Sequence, residues 1–171
     1  LDFGESILSG EPVSQILERR FQVTASLTGM TALFTMLLAL PIGYFSGVNK
    51  HNAAGKAVNT SALVVMAVPA FWVGILLMYF FGLKLHWWSV ILPAFTQSLG
   101  ISALLIRNMQ NEVAQIFTID YVDFARSKGL APMRVRVWYI LRNVMISTTT
   151  LFSIGIASML GGSVIIETVF S

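Results

Sequence analysis

Long uncharged runs alternate with short charged segments along this chain. Val23 to Val48, Ala57 to Leu83, Leu92 to Ile106 and Val144 to about Ile166 contain no Asp, Glu, Lys or Arg. An α-helix needs about 20 apolar residues to cross a bilayer, so the pattern predicts about four helical spans in one domain covering residues 1–171. Before the first run, Pro12 is placed to begin a short amphipathic helix with Val13, Ile16, Leu17 and Phe21 on one side. Residues 1–21 then read as an external interfacial segment leading into the membrane, with an ordinary solvated helix equally open. Gly43 and Gly47, four residues apart, suit close contact with another helix. Pro69 predicts a kink in the second run, with Trp72 close by; packed kink and substrate-facing element are both open readings. Ser153, Ala157 and Gly161 form a small-residue stripe in the last run, while Ser147 and Thr148 are polar positions that either line a pathway or bond their own backbone.

Composition agrees with a membrane protein. The 171 residues are 56% hydrophobic and 11% charged, against roughly a quarter charged in a soluble domain. The absence of Cys excludes disulfides and thiolate chemistry. His51 and His86 are isolated, and Gly55-Lys56 lacks the earlier glycine of a phosphate loop, so no catalytic or metal-binding constellation emerges. The net charge of +3 does not indicate nucleic acid, because the basic residues flank the apolar runs. With four spans, Lys50, Lys56, Arg107, Arg126, Lys128, Arg134, Arg136 and Arg142 fall on one side, and Arg19, Arg20 and Lys84 on the other. The positive-inside rule then makes the first side cytoplasmic.

Between the third and fourth runs lies a polar hairpin over residues 118–143, TIDYVDFARSKGLAPMRVRVWYILRN. Thr118 is placed to cap a short helix, with Asp120 and Asp123 near its positive end and Arg126 and Lys128 near its negative end. Gly129 suits the left-handed position that ends such a helix, and Pro132 the first position of the next. Tyr121, Phe124 and Ala125 share one face, which gives the helix an apolar side outside the lipid.

Asp123, Ala125 and Gly129 have the spacing of the EAA loop, a glutamate-alanine-alanine-x3-glycine signature, with aspartate for the glutamate and Phe124 for the first alanine. The string DYVDFARSKGL, the later Leu141-Arg142-Asn143 and the closing LGGSVIIETVFS resemble the dipeptide, oligopeptide and nickel branch of ABC importer permeases. The resemblance implies an all-α polytopic bundle of the type I importer kind, with a cytoplasmic coupling helix and without the family's first and last spans. It implies a place in the bacterial inner membrane, and partners comprising a second permease, two cytoplasmic ATPase subunits and an external solute-binding protein. ATP and Mg would sit on the ATPases, with no cofactor on this chain. Tyr121, Asp123, Phe124, Ala125, Arg126, Lys128 and Gly129 would form the ATPase-coupling surface; Pro69, Trp72, Ser147, Thr148 and Glu167 are candidates for pathway or external contact. At Glu167 a structural ion pair is equally open. The alternative reading is a passive channel or a structural membrane subunit with no ATPase partner.

Overall fold

The computed structural model describes residues 3–7, 10–82, 90–117, 124 and 127–162. Among these every regular element is helical. Helix α1 covers Val13–Val48, α2 Ala53–Ala67, and α3 Ala70–Leu77 with a π-helical turn Met78–Gly82 after it. Helix α4 covers Ile91–Ile116. Helix α5 opens with the turn Pro132–Arg134, passes through a π-helical segment Val135–Leu141 and continues as Arg142–Gly162.

The amphipathic stretch after Pro12 is helical, but it is not a separate interfacial helix. It runs without a break into the first apolar run, making α1 36 residues long. At 1.5 Å per residue this is about 54 Å, well beyond a hydrocarbon core of about 30 Å. No Pro or Gly lies between Pro12 and Gly29, so nothing stops a helix that gains one hydrogen bond per added residue. Leu17 and Phe21 lie exposed on this extension.

The second apolar run departs further from a single kinked span. Helices α2 and α3 meet at an angle of 94°. Val68 is extended, with ψ 127°, as expected of a residue before proline. Pro69 then caps α3, its carbonyl accepting the Trp72 amide at 3.0 Å. Trp72 is exposed, beside Phe71 and Ile75.

Among the described residues, Val13–Val48 and Pro132–Met159 are long and apolar enough to cross a membrane, and the bent α2–α3 pair makes up to three. Helix α4, the third run, carries more polar residues and is the centre of the bundle. It contacts α1 along most of its length and also touches α2, α3 and α5. Thr96, Ser98 and Gln110 are buried on it, each with a hydrogen-bond partner inside the bundle. A helix covered by protein can carry such groups where a lipid-facing one would leave them unsatisfied.

Glycine sets the closest approach. A Cβ on Gly43 would lie 2.9 Å from Met109 Cβ, and one on Gly47 would lie 2.5 Å from Val113 Cβ. The glycine pair of α1 is therefore the seat of α4. In α5, by contrast, Gly155 faces Ile101, whereas Ser153 and Ala157 of the small-residue stripe are exposed.

Candidate functional site

The polar hairpin leaves the bundle between α4 and α5, and both of its ends are anchored in one core. Met109, Val113 and Ile116 of α4 pack there with Val135, Ile140 and Val144 of α5. Phe117, the last described residue before the hairpin, and Leu130, just after its closing turn, pack against the same cluster, as do Leu40 and Tyr44 of α1. The π-helical segment explains how Val135 and Ile140 share that face. In an α-helix residues five apart diverge by about 140°, whereas i→i+5 bonding brings them nearly into line.

At the end of the hairpin, Phe124 and Ser127 are helical. The Lys128 amide donates to the Phe124 carbonyl at 3.2 Å, and the Ser127 hydroxyl donates to the same carbonyl at 2.8 Å. Gly129 has φ +73°, the left-handed conformation that the sequence assigns to it. A Cβ there would meet nothing within 4 Å, so glycine is required for backbone freedom and not for space. Ala131 is extended and Pro132 takes the first helical position, again as the sequence predicts. The Phe124 ring is 59% exposed, with Lys128 Nζ 4.6 Å from its centroid. An aromatic ring this open, steadied by a cation on its face, is available to a partner. Tyr121, Asp123, Ala125 and Arg126 lie outside the described residues, as do Thr118, Asp120 and Glu167.

Beneath the hairpin sits a polar clasp that the sequence reading passed over. Gln110 Nε2 donates to Ser46 Oγ at 2.6 Å and to the Gly55 carbonyl at 2.8 Å. One buried amide thereby ties α4 to the end of α1 and the first turn of α2. A Cβ on Gly55 would overlap the Asn49 carbonyl, so the α1–α2 turn closes tightly only with glycine there. Lys50 Nζ adds a bond to Asn111 Oδ1 at 3.0 Å. The signal was present in the sequence: Gln110 falls on the same stripe as Ile106 and Val113, a polar residue where the helix is otherwise apolar.

The candidate pathway residues are dispersed. Thr148 is buried, with its hydroxyl donating to the Val144 carbonyl at 2.9 Å. Ser147 is half-buried and accepts from Asn108 Nδ2 at 3.3 Å, joining α5 to α4. Pro69 and Trp72 belong to the α2–α3 corner and are not brought together with either of them.

The model of the "binding-protein-dependent transport system inner membrane component" family covers residues 39–171. The chain is 31% identical over 179 residues to a glutathione transport system permease protein of Salmonella typhimurium, covering 99% of this chain and 58% of that one. It is 28% identical over 187 residues to a probable peptide ABC transporter permease protein of Sinorhizobium fredii, covering 99% and 60% respectively. An oligopeptide transport system permease protein of Bacillus subtilis is 27% identical over 190 residues, again 99% and 60%. The chain thus spans about three fifths of the length of these relatives. With its apolar helices and a match over most of its length, this integral membrane chain belongs to the family of binding-protein-dependent transport system inner membrane components.

Proposed function

We propose that this chain belongs to a permease subunit of an ATP-driven importer for peptides or related small solutes, nickel chelates included. It would act in a bacterial inner membrane with a second permease, two cytoplasmic ATPases that carry ATP and Mg, and an external solute-binding protein. The observation that carries the proposal is the anchoring of both hairpin ends, Phe117 and Leu130, in one α4–α5 core. A loop held at one end would absorb a push from outside the membrane. Held at both ends, it passes displacement to α4 and α5 together. From α4 the displacement reaches α1 through the Gly43 and Gly47 contacts and α2 through Gln110.

In this mechanism α4 crosses the membrane inside the bundle, giving four crossings and a cytoplasmic hairpin. ATP binding closes the ATPases on the apolar side of the hairpin helix, the side to which the sequence spacing assigns Tyr121 and Ala125 together with the exposed Phe124. Arg126 and Lys128 would add charge at the rim, which influences encounter more than affinity. The helices then rock to open the pathway alternately to each side. Family membership and the transport systems to which the relatives belong support the importer reading over a passive channel.

Gly129→Trp tests it. The left-handed backbone at φ +73° resists a side chain, and an indole there obstructs the seat. The expected result is normal membrane insertion with ATP-driven uptake abolished. Uptake at the wild-type rate would refute the role of the hairpin.

A further inference from the structure

A shallow cavity of about 530 Å³ lies on the outer side of α5 at its hairpin end, lined by Arg134, Trp138, Tyr139 and Arg142. We propose that it binds the phosphate diester headgroup of an anionic phospholipid in the cytoplasmic leaflet. Arg142 Cζ stands 5.8 Å from the centre of the Trp138 ring, so the indole holds one guanidinium in place. Among the described residues the one ion pair is Arg19–Glu11, and both cavity arginines keep their donors directed at no described carboxylate. Guanidinium groups match phosphate oxygens as bidentate forks. Trp138 is 60% exposed and lies within two turns of the start of the apolar helix Pro132–Met159, the part of a span where interfacial indoles collect.

The surface deeper along α5 fits an acyl chain. Arg134, Trp138 and Arg142 continue at four-residue steps into Ile146, Thr150 and Ile154, all exposed. The Thr150 hydroxyl donates to the Ile146 carbonyl at 3.0 Å, so this ridge offers hydrocarbon no unsatisfied hydroxyl. Basic and aromatic at one end, apolar and internally satisfied beyond it, the ridge has the polarity of one phospholipid molecule. The inference rests on the proposed function only for the cytoplasmic orientation of the hairpin.

Native mass spectrometry of the full permease in its complex, in neutral detergent, tests it with phosphatidylglycerol, phosphatidylcholine and inorganic phosphate as probes. Wild type is expected to retain phosphatidylglycerol in preference to phosphatidylcholine. Charge-assisted hydrogen bonds to one phosphate are lost with both guanidinium groups, so the double variant Arg134→Gln/Arg142→Gln should lower that retention by about tenfold or more. Unchanged retention overturns the site, and displacement of phosphatidylglycerol by millimolar phosphate overturns its assignment to a lipid. If the double variant does not insert, Trp138→Phe serves instead. Dibrominated phosphatidylglycerol should quench a tryptophan component in wild type that this variant lacks, and equal quenching in both overturns the proposal. A photoreactive residue at position 138 that joins the second subunit and not lipid overturns it as well. Retention is read without ATP or substrate, so its outcome is independent of the importer reading.

Discussion

Replacing Gln110 with leucine keeps the side chain close in size and removes the amide that joins three helices. Gln110 is 3% exposed, and its Nε2 group supplies both the Ser46 Oγ and Gly55 carbonyl bonds. Loss of that donor leaves the Gly55 carbonyl to its own helix and to Ser46 Oγ, which already lies 3.5 Å away. Two buried hydrogen bonds at about 0.5–1.5 kcal/mol each amount to about 1–3 kcal/mol. For a chain of this size each kcal/mol lowers the melting point by about 2–4 °C, so a 2 kcal/mol loss gives about 4–8 °C. Size-exclusion chromatography after heating in detergent reads the shift directly. Gln110→Glu should be worse above neutral pH, because a carboxylate has no proton to donate to the carbonyl. A Gln110→Leu melting point within about 1 °C of wild type would show that the clasp contributes nothing and that α2 is held by apolar packing alone.

Three further outcomes follow from the packing. Gly47→Val places methyl groups beyond a Cβ that would already stand 2.5 Å from Val113 Cβ; a loss of about 1–3 kcal/mol is expected from overpacking, read as a lower melting temperature. Gly29→Ala, where a Cβ meets nothing within 4 Å, should instead raise stability by up to about 1 kcal/mol through helix propensity. Arg19→Ala breaks the 3.4 Å ion pair with Glu11, whose side chains are largely exposed, and should change stability by no more than about 0.5 kcal/mol in the same melt.

Local chemistry made the closing turn of the hairpin legible in the sequence. Gly129 permits a left-handed backbone and Pro132 fixes the φ of a helix start, and each occurs where that property is needed. Pro69 likewise marks a real interruption, but the 94° turn it allows depends on what α2 and α3 pack against, which no local residue encodes. The continuity of α1 was hidden because amphipathic and uniformly apolar stretches look like separate elements even when the backbone between them never breaks. The central place of α4 was hidden for a related reason: hydropathy ranks a helix by exposure to lipid, and α4 is sheltered by its neighbours. The glycine pair at 43 and 47 announced a close contact, and the structure supplies Met109 and Val113 as its other side. The stripe at Ser153 and Ala157 shows the limit of such patterns, since small side chains permit close approach without specifying a partner.

The coupling account is tested most directly at Phe124, whose ring is exposed on a hairpin anchored at both ends. A photoreactive amino acid in its place, illuminated in the assembled transporter, should attach to an ATPase subunit with a yield that changes between ATP-bound and nucleotide-free states. Attachment only to lipid or to an external protein, or none to an ATPase in either state, would contradict the claim that this hairpin carries motion into the membrane bundle.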